Sequence, residues 1–290
     1  MRTTARAWPL SQFGNKQNHQ EKRMNQYKLD PDKAIKLKDV DPDDTGDIKQ
    51  KADIRDKLEK DLARIRVLQE ALYAERKRSL LIVLQAMDTG GKDGTIEHVC
   101  SGLNPQGVVV TPFKVPSAEE MAHDYLWRVH KVTPGKGMIG VFNRSHYEEV
   151  LVVRVHDLVP KEVWSKRYEQ INQFEKLLTD NGTVVLKFFL HISKAEQKER
   201  LLDRLNTPDK RWKFALGDLK ERALWDQYQA AYEDALNKCT TAAAPWYVIP
   251  ANKKWYRNYV VARIIRQTLE EMDPQYPQPA EDLSHVVIED

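Results

Sequence analysis

The sequence predicts an α/β domain of three layers built on a mainly parallel sheet. Three observations lead there: a continuous apolar run from Ser79 to Ala86, strand-like segments that alternate with helical ones, and a glycine-rich turn directly after that first run. A strand apolar at every position has to be covered on both faces, as in a sheet between two layers of helices. Alternation makes neighbouring strands parallel, because each intervening helix returns the chain to the same end of the sheet.

Residues 1 to about 45 are polar and aromatic-poor, with Asp41-Pro42-Asp43-Asp44 near their end, and are read as an extended or partly disordered N-terminal arm. From Ile48 the apolar residues Ile54, Leu58, Leu62, Ile65, Leu68 and Leu72 recur every three or four positions, one stripe on a helix that ends near Glu75. That stripe serves either the core or an interface. Ser79 to Ala86 is the first strand, and further strands are expected at Val108 to Phe113, Met138 to Asn143, Val150 to Val155, Val184 to Ile192 and Trp246 to Ala251. Ser117 with Glu120 and Ser193 with Glu196 have the spacing of capping boxes, which start helices. A long helix is expected from about Asp218 to Cys239 and a last one from about Lys254 to Met272. The domain spans 46–275, and 276–290 form a loose tail.

With 290 residues, 41% of them hydrophobic, the chain can bury one substantial core. No run approaches the roughly 20 apolar residues that cross a bilayer, and no apolar signal core follows the first residues, so a cytoplasmic protein without a membrane partner is expected. Cys100 and Cys239 are too few for a disulfide framework or a thiolate metal site and read as small buried hydrophobes. A net charge of +3 does not by itself imply nucleic acid, and none is expected as a partner.

The chemistry concentrates in three places. Asp88-Thr89-Gly90-Gly91-Lys92-Asp93-Gly94-Thr95 follows the buried strand and opens a helix. Glycines 90, 91 and 94 let the backbone turn tightly and aim N–H groups at one point, and Lys92 adds a charge, which makes a phosphate nest. Ala86 replaces the first glycine of the usual P-loop pattern and Asp93 replaces its hydroxyl residue. Asp88 is therefore the metal candidate, since a carboxylate beside bound phosphates is unfavourable unless a divalent cation neutralises both; a turn cap is the plainer reading. Asn143-Arg144-Ser145-His146-Tyr147-Glu148-Glu149 lies just past a strand end, where open α/β sheets place ligands. There Arg144 suits phosphoryl oxygens and Glu148 or Glu149 a metal or nucleotide, with a solvated turn as the alternative. His146 reads as a packed residue. The third cluster, about residues 200–222, contains Arg200, Arg204, Lys210, Arg211 and Lys213 and suits a basic lid that excludes water, or else a solvated face. Trp212 and Trp225 read as core or hinge packing.

These segments, with Lys187-Phe188-Phe189-Leu190-His191-Ile192-Ser193-Lys194, Lys210-Arg211-Trp212-Lys213-Phe214, Trp225-Asp226-Gln227-Tyr228 and Ala244-Pro245-Trp246-Tyr247-Val248-Ile249-Pro250-Ala251, occur in an order that closely resembles the polyphosphate kinase 2 family. The resemblance covers roughly residues 45 to 275. It implies a thymidylate-kinase-like P-loop fold with a helical lid, and a magnesium-dependent transfer (Mn²⁺ as a substitute) between inorganic polyphosphate and adenine nucleotides. It further implies that Asp88 and Lys92 lie at the phosphate and metal centre, Arg144 beside the transferring group, the Arg204 to Lys213 segment in the lid, and Arg154 along a basic polyphosphate groove. Phosphate contacts are expected from Gly90, Gly91, Lys92, Asp93, Gly94 and Thr95, and nucleotide and lid contacts from Asn143, Glu148, Arg204, Lys210, Arg211 and Lys213. Many family members read Asp-Arg-Ser-Trp-Tyr-Asn-Arg where this chain reads Asn143 to Glu149. An amide carries no charge for Mg²⁺, and the departure resembles the class III branch, which takes both AMP and ADP to give ADP and ATP. Members often assemble, so a homo-oligomer is expected. An ATP-dependent nucleotide or nucleoside kinase on the same fold and a non-catalytic polyanion-binding module are the competing readings.

Overall fold

The structure is a computed structural model that describes residues 26–283 and 285–288. Five parallel strands form one sheet in the order β2-β3-β1-β4-β5: β1 Ser79–Gln85, β2 Val108–Pro112, β3 Ile139–Asn143, β4 Thr183–His191 and β5 Trp246–Pro250. Every residue of β1 is buried, as its unbroken apolar run requires. The central register pairs Leu84 with Asn143 on one side and with Phe188 on the other, so the chain leaves β1 and β3 side by side at the same end of the sheet.

Seven helices of eight residues or more flank these strands among the described residues: α1 Arg55–Glu75, α2 Lys92–Val99, α3 Arg167–Asp180, α4 Lys194–Asn206, α5 Leu216–Ala223, α6 Trp225–Lys238 and α7 Lys254–Met272. The stripe of α1 goes to the core: Ile65, Leu68 and Leu72 are buried, and the helix packs along α7. An ion-pair cluster locks that packing, with Asp61 accepting from Arg263 Nε at 2.7 Å and paired with Arg266, whose Nε lies 2.9 Å away. Helix α1 stops after Glu75 because Arg76 turns left-handed (φ 53°) and donates its N–H to the Leu72 carbonyl.

Three expectations are corrected. Val150 to Val155 is no strand: a 3₁₀ turn, His146–Val150, runs into a single helical turn, Val152–Val155, that crosses the end of the sheet. Its β-branched composition mimics a strand, but both sides of β3, the strand it follows, are already taken by β1 and β2. The helix expected from Asp218 to Cys239 is two helices, α5 and α6, separated at Leu224 (φ −87°, ψ 16°). Ser117 and Glu120 form a full capping box, whereas Ser193 makes only half of one: it accepts from Glu196 N, while the Glu196 carboxylate turns to Arg200 Nε at 2.7 Å.

Of the arm, residues 1–25 lie outside the described residues, and from Tyr27 the chain runs as a strap along β5. Leu29 N donates to Trp246 O (2.8 Å), Val248 N donates to Tyr27 O (2.9 Å), and Tyr27 and Leu37 are buried. Beyond Asp273 the described tail residues form no helix or strand.

Candidate active site

At the C-terminal end of the sheet, β1 runs into a tight loop that delivers Gly91 to the N-terminus of α2. Gly90 N donates to Met87 O at 2.9 Å, and a Cβ on Gly90 would lie 2.4 Å from the Ala86 Cβ, so only glycine closes this turn. Gly91 is left-handed (φ 97°), and a Cβ there would meet the Arg257 guanidinium at 1.8 Å. The loop is braced from behind: Gln197 Nε2 donates to Asp88 O, Arg200 Nη1 to Thr89 O and Tyr232 OH to Ala86 O. Bracing matters because Thr89 (φ 63°) and, across the cleft, Arg144 (φ 62°) hold left-handed backbone without being glycine. Such conformations cost about 1–3 kcal/mol each and persist where surrounding contacts impose them.

These residues open onto a cavity of about 1660 Å³. Asp88, Gly90, Gly91, Lys92, Asp93 and Gly94 line its floor, and Asn143, Arg144 and Glu148 one wall. Lys92 is 8% exposed, donates to Ala86 O at 3.1 Å, and among the described residues has no carboxylate hydrogen-bonded to it. Burial, followed by the nearby Arg144 charge, pulls its ammonium down to about 8. Arg144 bridges two carboxylates, Asp88 at 2.8 Å and Glu148 at 3.7 Å. Asn143 Nδ2 donates to Asp93 Oδ1 at 2.7 Å, so the amide partners a carboxylate that an aspartate at 143 would repel.

The segment expected as a lid lines one side of the cavity. Arg204 pairs with Asp218 at 3.6 Å and Lys210 with Asp203 at 2.7 Å, tying α4, the 3₁₀ turn Pro208–Lys213 and α5 together. Arg204, Lys210 and Lys213 line the cavity. Trp225 is buried as packing, but Trp212 is not packed: it is 78% exposed on the cavity side of the lid.

Three expected contacts are not brought to the cavity. Arg154 faces away, its guanidinium held by Asp234 at 2.6 Å and the Tyr168 hydroxyl at 3.0 Å, because Val150 to Val155 is helical and turns its side chains through a helical rather than an alternating pattern. Arg211 donates to Leu205 O at the outside of the lid. Thr95 is buried in α2 and donates to Gly91 O, stiffening the nest from within.

Sequence reasoning missed Lys254 and Arg257, which reach the cavity from the start of α7. Arg257 is buried (3% exposed), and desolvation with Arg200 beside it lowers its guanidinium to about 10. Two guanidinium groups pressed together over a phosphate nest favour an anion between them. The signal was the rule already applied to β3: basic residues just past a strand end, here β5, belong to the ligand side.

The donor set suits a hard divalent cation only in part. Among the described residues no three His, Cys, Asp or Glu side chains converge. Asp88 and Asp93 offer carboxylates at the nest, Asp93 engaged by Asn143, with Glu148 behind Arg144. That suits Mg²⁺, which keeps several waters and takes one or two carboxylates plus substrate phosphates.

Comparison with known proteins agrees with this architecture. The family model for polyphosphate kinase 2 (PPK2) matches residues 47–277. An AMP/ADP-polyphosphate phosphotransferase of Meiothermus ruber is 55% identical over 267 residues, covering 92% of this chain and 100% of the relative. An ADP-polyphosphate phosphotransferase of Rhodopseudomonas palustris is 46% identical over 76% of this chain and 81% of its own. The crystal structure of polyphosphate kinase 2 from Arthrobacter aurescens TC1 superposes with a TM-score of 0.85 at 45% identity, over 88% of this chain and 92% of that one. A glycine nest with a buried lysine, an arginine across the cleft and a basic lid are thus set on a fold shared along nearly the whole chain, and the chain belongs to the polyphosphate kinase 2 family.

Proposed function

We propose that this enzyme moves the terminal phosphoryl group of inorganic polyphosphate to AMP and to ADP, forming ADP and ATP. The observation that carries this reading is the asymmetry of the cavity about Lys92. On one side Arg200, Lys254 and Arg257 face the nest without an intervening carboxylate ligand on Arg257, which suits a polyanion. On the other side Phe113, Val152 and Leu158 combine with Glu148 and Glu149, an apolar surface with a few polar groups of the kind that holds a nucleoside.

The backbone nest and Lys92 hold the donor phosphates, and Arg144 sits where it neutralises the oxygens of the group in transit, so catalysis is positioning and charge stabilisation with no covalent enzyme intermediate. Mg²⁺ bound at Asp88 would supply further neutralisation of phosphate charge. Closure of the Arg204 to Lys213 lid excludes water, which otherwise competes as acceptor. Acceptance of both AMP and ADP fits the Asn143–Asp93 pair, in which a neutral amide stands where an aspartate would add a second fixed negative charge to the path of the incoming phosphates. A cytoplasmic location follows from these substrates; no helix among the described residues is long and apolar enough to cross a membrane. Self-association is part of the proposal, with the β2 edge, where Val109 and Val110 are exposed, as the surface.

The test is a time course of AMP, ADP and ATP with polyphosphate as sole donor. ADP followed by ATP is expected from AMP. Product formation only when ATP is supplied as donor would identify an ordinary nucleotide kinase instead, and binding of polyphosphate without turnover a polyanion module.

A further inference from the structure

Beneath the turn that carries Arg144 lies a cluster of charges that lines no part of the cavity. Lys187, in the middle of β4, and Tyr147 are 0% exposed; Glu175 of α3 and His146 are 1% exposed. Lys187 Nζ donates to Glu175 Oε2 (2.5 Å), the Tyr147 hydroxyl (2.9 Å) and the Cys239 carbonyl (2.6 Å), which uses all three of its protons. The Tyr147 hydroxyl in turn donates to Glu175 Oε1 at 2.8 Å, and His146 Nε2 lies 3.2 Å from the same oxygen. Burial alone would raise the Glu175 carboxyl, but Lys187 and His146 hold it below the ordinary range, so the carboxylate stays charged.

Ion pairs this deep are poor sources of stability, because desolvation cancels most of their attraction and well-packed apolar side chains do as well or better. What the cluster does impose is geometry, since every proton of Lys187 Nζ and of the Tyr147 hydroxyl is already committed to a fixed acceptor. It grips the segment from below at His146 and Tyr147, and Ser145 adds a third hold by accepting from Gln85 Nε2 and Tyr147 N. The residues on either side, Arg144 and Glu148, both face the cavity. The other holds on Arg144 are its N–H, which donates to Leu84 O at 3.1 Å, and its ion pairs to Asp88 (2.8 Å) and Glu148 (3.7 Å) at the cavity; its φ is 62° and its side chain is 41% exposed, so the backbone beneath it is fixed chiefly by the cluster.

We propose that Lys187, Glu175 and Tyr147 are positioning residues whose hydrogen-bonded cluster holds the Arg144 guanidinium in register with the phosphate nest. The proposal concerns the site to which polyphosphate transfer is assigned above and rests on that reading. None of the three side chains touches substrate; they act on the reaction through the placement of Arg144. A charge stabiliser displaced by a fraction of an ångström loses much of its effect on the transition state while ground-state binding, shared among many groups, changes little.

The experiment uses Tyr147→Phe, which keeps the ring packed on Trp246 (centroids 4.7 Å apart) and removes only the hydroxyl, with Glu175→Gln as a second variant of unchanged volume. Melting temperature, kcat and the KM values for polyphosphate and ADP are measured for each, and for the same changes combined with Arg144→Ala. The expected result is a folded protein whose kcat is about 10-fold lower with both KM values within about 2-fold, and a double variant no slower than Arg144→Ala alone, because positioning has nothing left to position. Losses that multiply in the double variant, or a lowered melting temperature with unchanged kcat, would overturn the proposal. An arginine Nε–Hε NMR signal from Arg144 that broadens in Tyr147→Phe is expected as well, and an unchanged signal would overturn the proposal without reference to turnover. Should the wild type fail to turn over polyphosphate, the assigned reaction falls while this signal still decides whether the cluster holds Arg144.

Discussion

Lys92 occupies the position where its charge is most costly to hold and most useful to have. It is buried, its hydrogen-bond acceptor is the Ala86 carbonyl rather than a carboxylate, and in the proposed reaction a substrate phosphate would offset the desolvation. Lys92→Ala is expected to lower kcat by about 10²–10³-fold, the usual loss for one preorganised charge donor, with the fold retained by circular dichroism. The pH profile follows from the same burial. The free enzyme's ammonium titrates at about 8 rather than at 10.5, and the charged form is the one that binds phosphate. Thus kcat/KM for polyphosphate, which reports the free enzyme, should be full below about pH 8 and fall as the pH rises through it. Folding feels the opposite sign, because between about 8 and 10.5 the unfolded chain binds the extra proton, so this group's penalty on stability eases as the pH rises across that window. A kcat/KM that stays flat to about pH 9.5 would remove Lys92 from phosphate binding.

At the scale of elements, the loop between β1 and α2 works because three helices press on it. Helices α4 and α6 hold its carbonyls through Gln197, Arg200 and Tyr232, and α7 lays Arg257 against Gly91. This gives Gly91 two reasons to be glycine, its φ of 97° and the guanidinium in the place of a Cβ. Gly91→Ala is expected to cost about 1–2 kcal/mol from backbone conformation alone, seen as a lower denaturant midpoint. It should also nearly abolish turnover, because Arg257 must move off the nest. A fully active Gly91→Ala enzyme would show that Arg257 is not part of the phosphate side. The nest itself was legible in the sequence, since its residues are contiguous and follow a strand. The clamps were not, because Arg200 and Arg257 come from helices far along the chain and meet the loop only when β4 and β5 line up beside β1. The same geometry bears on the misreading of Val150 to Val155: its β-branched run satisfies a strand pattern locally, but β3, which it follows, already has both sides paired, and the segment forms a helical turn across the end of the sheet.

For the whole molecule, basic groups gather on the phosphate side of one cavity although the net charge is only +3. A long polyanion held there by several Lys and Arg side chains must release counterions on binding. The apparent KM for long-chain polyphosphate is therefore expected to rise more steeply with added salt than that for ADP, measured from about 50 to 200 mM. Equal slopes for the two substrates would argue against an extended basic surface.

Across the whole chain, periodicity and contiguity encode the α/β class, all five strands of the sheet, the helix from Arg55 to Glu75, and the glycine-rich turn around Lys92. Each of these depends on neighbours in the chain, whose spacing sets which face is buried and where the backbone must turn. Tertiary structure alone decided the partners. The Asn143–Asp93 pair joins the end of β3 to the start of α2, Arg154 is turned away from the cavity by Asp234 of α6, and Lys187 meets Glu175 and Tyr147 only once β4, α3 and the Arg144 turn have packed together. A charged side chain carries no local mark of the partner it will find. That choice is made when desolvation forces each buried charge onto whichever opposite group the packed elements bring within a few ångströms.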